Sequence, residues 1–252
     1  MGDDLSRDDC AVSGEADRIG ETLVQSSFEF AAPPETFDQL DEGSSNAAAL
    51  AFLKQGEDWP FPVACLIGPP RSGRSTMALA WANALDGKML SVEALVEQGV
   101  DAALSAGVLA LDPADMSMPD DLFLTLINRV GETGGRLLLT SDTPPNTWLV
   151  ANKDLASRLA GLPVVQIERP DEAMIGIRLT SLLARRFQTL PQEVVRYLAP
   201  RLKRTYADIE ACATRLAGKA GPGRDLTVLL ARSVIEEMYG REDETGEGTG
   251  DG

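Results

Sequence analysis

The stretch "GPPRSGRST", Gly68 to Thr76, decides how this chain folds. It follows a continuous apolar run, "FPVACLIG", and leads into "STMALAWANAL". A short unbroken apolar run closed by glycine reads as a buried parallel strand, and the alanine-rich segment after it reads as a helix. A glycine-bearing turn between such a strand and such a helix makes an anion site, because loop amides and the helix N-terminus converge on one point. The spacing matches the phosphate-loop pattern G-x-x-x-x-G-K-[ST] with one departure: Arg74 stands where the lysine belongs. Gly68, Gly73, Arg74, Ser75 and Thr76 are thus candidate nucleotide-binding residues. A planar guanidinium keeps the charge of an ammonium but not its compact shape. Two readings stay open at this point: ADP or ATP held through backbone amides and Ser75, or a loop that kept its form and holds no nucleotide.

Outward from the loop, apolar runs alternate with helical patterns. "GVLALDP" reads as a strand ending at Asp112, "RLLLTSDTPP" as a third strand with Asp142 in its polar tip, and "PVVQIERP" as a fourth. "DDLFLTLINRVGETGG" is an amphipathic helix with a glycine stop, and "SSNAAALAFLKQ" a helix capped by Ser44, Ser45 or Asn46. Strands separated by helices of this length predict a parallel sheet. From Asp171 onward the strand signals stop. "DEAMIGIRLTSLLARRF" opens with an acidic cap and sets Met174, Ile177 or Arg178, Ser181 and Leu182 on helical spacing. "QEVVRYLAPRL" is broken or kinked at Pro200; "ADIEACATRLAG" puts Ile209, Cys212, Ala213 and Leu216 on one face; "DLTVLLARSVIEEMY" closes the fold. The expectation is an α/β base over 36–169 followed by a small all-helical lid over 170–239. Residues 1–24 form an acidic arm with the composition of disorder, 25–35 a short peptide and linker, and 240–252 an acidic tail.

Composition narrows the chemistry. The chain has 252 residues and no histidine, so imidazole bases, Ser/His/Asp relays and histidine metal sites are excluded. Cys10, Cys65 and Cys212 form no C-x-x-C pair and read as free thiols of a reducing compartment. No run approaches the roughly 18 apolar residues of a membrane span, and the polar, acidic N-terminus lacks a secretion pattern, so a cytoplasmic location is expected and no membrane partner. The formal net charge of −16 disfavours direct DNA binding. The one basic cluster, "RYLAPRLKRT", is either a solvated helix face or a contact surface.

Taken in order, the P-loop, the strand ending in Asp112, "LLLTSDTPP", "DLASRL" and the helical lid resemble the AAA+ superfamily, in the replication-initiator branch that contains DnaA and its shorter relative Hda. The resemblance runs from about Gln25 to Tyr239 and also rests on "TFDQLDEGSSNAAAL" ahead of the P-loop. It implies a P-loop AAA+ base, with Asp112 as the Walker B acid that shares Mg²⁺ with Ser75 when nucleotide binds, and Asp142 near sensor 1. Three positions depart from it: Arg74, Pro113 where an acid orients water, and Ala207 where sensor 2 carries arginine, with Arg204 one turn away as a substitute. Hydrolysis by the chain itself is therefore expected to be slow or absent. Arg158 in "DLASRL" falls on the arginine finger, which works in trans on a neighbour's nucleotide; the plain alternative is an ion pair with Asp154 on a surface helix.

The lack of a DNA-binding domain after the lid favours the shorter relative over the initiator. Such relatives carry a clamp-binding peptide, and "QSSFEF" places Gln25, Phe28 and Phe30 to match it, although the same residues also suit a first β-strand. The implied partners are the DNA polymerase sliding clamp and DnaA, with a homo-oligomer compatible. The implied role is a regulator that inhibits DNA replication by promoting hydrolysis of DnaA-bound ATP. The alternatives are a non-catalytic scaffold or a weak ATPase in its own right.

Overall fold

Five parallel strands carry the fold; the three central ones form where apolar runs are buried on both faces, and the two at the edges are three residues long and partly exposed. The computed structural model describes residues 35–114, 118–221 and 225–240. Within them β1 (Val63–Ile67), β3 (Val108–Leu111), β4 (Arg136–Ser141) and β5 (Val164–Gln166) are the strands expected from sequence, and β2 (Lys88–Leu90) is an additional one. The sheet order is β2-β3-β4-β1-β5. Helices α1 (Ala47–Lys54), α2 (Arg74–Ala84), α3 (Val92–Gln98), α4 (Val100–Ala103), α5 (Asp120–Thr133) and α6 (Lys153–Ala160) belong to the base. Helices α7 (Glu172–Ala184), α8 (Gln192–Leu198), α9 (Tyr206–Ala220) and α10 (Val228–Tyr239) follow without an intervening strand. The chain is thus an α/β protein with a parallel sheet and a trailing helical lid.

The sheet divides two cores. Because side chains alternate along a strand, Ala64 and Leu66 of β1, Ala110 of β3 and Leu138 of β4 face one cluster with α1, α2 and the lid helices. Val63, Cys65, Ile67, Leu109, Leu111, Leu137 and Leu139 face another with α3, α4, α5 and α6. Two consequences follow for cysteine. Cys65 and Cys212 are both fully buried, and burial pushes each thiol up to about 12. A thiol with that pKa supplies almost no thiolate at pH 8, and neither sulfur is accessible. Neither should react with a colorimetric disulfide reagent at pH 8 in the native protein, and both should react once denaturant is added; fast native labelling of either would contradict this packing.

Two sequence expectations need correction. The lid helix α7 buries Met174, Ile175, Gly176, Leu179 and Leu183, while Ile177 is 36% exposed. The face is rotated from the one the spacing suggested, because α7 packs chiefly on α9 and must leave its Arg178 and Ser181 edge to a polar strap. Strand β2 was unreadable because three residues between Gly87 and Ser91 are too few to show a period. Gly87 is there for close approach: a Cβ would stand 2.8 Å from the carbonyl oxygen of Val108.

The strap is residues 41–46, the core of the "TFDQLDEGSSNAAAL" block. Asp41 accepts from Arg178 at 3.3 Å and from the Ser181 hydroxyl. Ser44 donates to Asp171, whose carboxylate also caps α7 by accepting from the Met174 amide at 2.7 Å. Those bonds hold the Asp171 pKa below its ordinary value, the Ser44 hydroxyl first. Ser45 lies 3.1 Å from the Tyr206 hydroxyl, and its carbonyl accepts from the Glu168 amide at 2.8 Å. Six consecutive residues thereby fix the start of the base to two lid helices, which explains why so polar a segment precedes an apolar helix.

Candidate nucleotide cleft and the exposed Arg158

The ends of β1, β3 and β4 meet at one edge of the sheet, where parallel α/β folds place ligands. The register pairs Ile67 with Ser141 and Leu111 with Leu139, so Gly68, Asp112 and Asp142 leave the sheet on the same side. Gly68 is held by its amide donating to the Ser141 carbonyl at 3.2 Å, and a Cβ on it would press against Ile167 and the Ser72 hydroxyl, each at 2.9 Å. Gly73 has φ +98°, a region where a side chain is strained, and it precedes α2 without a side-chain cap. The first-turn amides of Arg74, Ser75 and Thr76 therefore lack intrahelical acceptors and open outward.

They open into a cleft of about 270 Å³ between the loop and the lid. Its loop wall is Arg71, Ser72, Gly73, Arg74, Ser75 and Thr76; its lid wall includes Arg178, Leu182, Arg185 and Glu210, with Asp41 at the strap. Arg71 sits at φ +64°, which costs a non-glycine residue about 1–2 kcal/mol, and it donates to Glu210 of α9 across 139 residues of sequence. Both side chains reach solvent, so the pair contributes at most about 1 kcal/mol. Its importance is positional, since it joins the loop to the lid. Ser72 is 6% exposed, and its hydroxyl has no hydrogen-bond partner among the described residues.

This cradle fits a nucleoside diphosphate or triphosphate. Backbone amides, Gly73 and a buried unsatisfied hydroxyl form the bed, and guanidinium groups line both sides. Ser75 is exposed at the start of α2, as a hydroxyl that ligates Mg²⁺ beside a nucleotide has to be. Asp112 is half-buried and accepts from the Thr140 hydroxyl, while its amide donates to Leu90 at 3.0 Å. Pro113 follows it, exposed, with no carboxylate to orient a water. Asp142 is exposed beyond β4. Gly68, Asp112 and Asp142 do not line the cleft.

Arg204 lies elsewhere. It pairs with Glu172 at 3.3 Å on the lid surface and does not line the cleft, and Ala207 is exposed at the start of α9. The lid cations that do line it, Arg178 and Arg185, were missed from sequence, as were Arg71, Ser72, Asp41 and Glu210. One signal was available: Arg178, Leu182 and Arg185 recur at i, i+4 and i+7, a single stripe of a helix.

Arg158 is on α6, away from this cleft. The helix is firmly set. Asn152 caps it by accepting from the amides of Asp154 at 2.9 Å and Leu155 at 3.2 Å, and Asp120 holds the preceding turn by accepting from Ala151 and Asn152. Leu155 and Leu159 are buried, which turns Arg158 outward, and among the described residues it forms no ion pair, with Asp154 or any other carboxylate. Gln25, Phe28 and Phe30 lie outside the described residues.

Comparison with known proteins places this geometry. No protein-family model matches the chain. The chromosomal replication initiator protein DnaA of Caulobacter vibrioides is 28% identical over 240 residues, covering 81% of this chain and 47% of that protein. DnaA of Flavobacterium psychrophilum is 29% identical over 120 residues, 47% of this chain and 25% of that protein. The chain spans less than half the length of these relatives. Domain III of the Thermotoga maritima initiator DnaA superposes with a TM-score of 0.66 at 16% identity, covering 82% of this chain and 97% of that one. AMPPCP-bound DnaA from Aquifex aeolicus superposes at 0.60 and 19% identity, over 74% of this chain and 66% of that one. The fold is that of domain III of DnaA, and the sequence is weakly similar to that of DnaA. No helix among the described residues is long and apolar enough to cross a membrane.

Proposed function

We propose that this chain is an Hda-like regulator of replication initiation that binds the sliding clamp and DnaA and promotes hydrolysis of DnaA-bound ATP. The observation that carries the reading is an asymmetry. Arg158 is presented outward on a capped, anchored helix with no ion pair among the described residues, whereas Pro113 stands where an acid would orient water and Ala207 where sensor 2 carries arginine. The groups that serve a neighbour's nucleotide are kept, and the groups that would turn over its own are gone. The cleft holds ADP or ATP without hydrolysing it at an appreciable rate, and Ser75, in the cleft wall, would hold Mg²⁺ beside the phosphates. A nucleotide analogue is present in the similar DnaA of Aquifex aeolicus, which supports this part of the reading.

Tethering completes it. "QSSFEF" supplies an amide at Gln25 and two aromatic anchors at Phe28 and Phe30 for a clamp pocket. Tethering two partners by a short linker raises their local concentration to the order of mM. Replacing Gln25 and Phe30 by alanine is expected to abolish clamp pull-down while leaving the thermal melt unchanged; undiminished pull-down would remove the tether from the reading. The whole proposal is tested by phosphate release from DnaA–ATP in the presence of DNA-loaded clamp. Acceleration on adding this chain supports it, and no acceleration overturns it.

A further inference from the structure

We infer that Arg185 is the lid's phosphate ligand in the nucleotide cleft, the place that chain order gave to Arg204. This rests on the nucleotide reading of the cleft above.

Charge accounting across the cleft singles Arg185 out. Four arginines line it, Arg71, Arg74, Arg178 and Arg185, against two carboxylates, Asp41 and Glu210. Both carboxylates are engaged: Asp41 with Arg178 at 3.3 Å and with Ser181, Glu210 with Arg71. Among the described residues Arg74 and Arg185 are left without an ion pair, one on the loop wall and one on the lid wall. Two half-buried guanidinium groups without ion pairs line one cleft from opposite walls, and a ligand bearing several anionic oxygens would be matched by both at once. The open amides at the N-terminus of the eleven-residue α2 and the buried, unpartnered Ser72 hydroxyl point the same way.

The position of Arg185 has a rival explanation, since cations are favoured at a helix C-terminus. Here the next residue performs that task. Arg186 donates to the Leu182 carbonyl at 3.1 Å and to Thr214 at 3.2 Å, which fastens the end of α7. Arg185 instead continues the Arg178–Leu182 stripe into the cleft. Arg204 is occupied by Glu172 outside it.

The experiment titrates a fluorescent methylanthraniloyl-ADP with Mg²⁺ into the full-length chain and into Arg185→Gln, Arg185→Lys, Arg204→Ala and Arg74→Ala. Loss of one charge-assisted contact is expected to weaken binding at least about tenfold in Arg185→Gln. Arg185→Lys should retain part of the affinity, and Arg204→Ala should stay within about twofold of wild type. If Arg74→Ala weakens binding but Arg185→Gln does not, the cleft reading stands and Arg185 is not its lid ligand. A strong loss in Arg204→Ala with none in Arg185→Gln overturns the assignment in favour of Arg204. No binding by wild type overturns both the nucleotide reading and this inference.

Discussion

Arg158→Ala is expected to reduce the stimulated release of phosphate from DnaA–ATP by a factor on the order of 10³, the lower end of what a finger in trans contributes in well-studied GTPases. The size follows from where the charge acts. A guanidinium placed on the transferring phosphoryl group stabilises charge that exists only in the transition state, so its loss lowers rate rather than affinity. The substitution is structurally mild: Arg158 is exposed, makes no ion pair among the described residues, and projects from a helix anchored by Leu155, Leu159 and the Asn152 cap. Clamp and DnaA binding should be unchanged while stimulation disappears. Arg158→Lys should recover little, because the planar fork is lost. A variant as active as wild type would leave a scaffold that recruits without chemistry.

A second large effect is expected on stability. Trp81 of α2 is fully buried and stacks on Trp59 with ring centroids 5.3 Å apart and planes within 11°. Truncation to alanine removes that contact and leaves a cavity under the P-loop helix, a change that costs about 3–5 kcal/mol in comparable cores. Trp81→Phe should cost markedly less. The indole Nε1 has no hydrogen-bond partner among the described residues, so a phenyl ring removes an unsatisfied donor as it removes volume. Urea unfolding at constant m-value measures both, and a Trp81→Ala cost below about 1 kcal/mol would contradict the packing described. Gly56 belongs to the same arrangement, since a Cβ there would stand 2.3 Å from the Trp81 Nε1.

Much of this was legible because the relevant signals are local. The runs at 63–67, 108–111 and 137–139 are apolar on both faces, and the glycine turn at 68–73 sits between a strand and a helix. Helices α3 and α4 went unread although local marks were present: Ser91 caps the first by accepting from the Ala94 amide at 3.2 Å, and Gly99 separates them. What was not legible is non-local. Whether Arg178, Arg185 or Arg204 faces the phosphate loop depends on how the lid docks, and that is fixed by bonds between the strap at 41–46 and residues more than a hundred positions away. The partnership of Arg71 with Glu210 likewise exists only after folding. The rotation of α7 has the same origin, since its polar edge is chosen by the strap and not by its own periodicity.

The sheet that parts the two cores also separates two sets of energetic neighbours. Arg158 stands on a helix seated wholly in the α3–α6 cluster, whereas the phosphate loop's helix and the lid rest on the opposite cluster. Neighbours such as Cys65 and Leu66 answer to different sides. Substitutions well apart and without shared partners add nearly independently in free energy. Substitutions in the phosphate-loop helix or the lid should therefore change stability nearly independently of substitutions around α6.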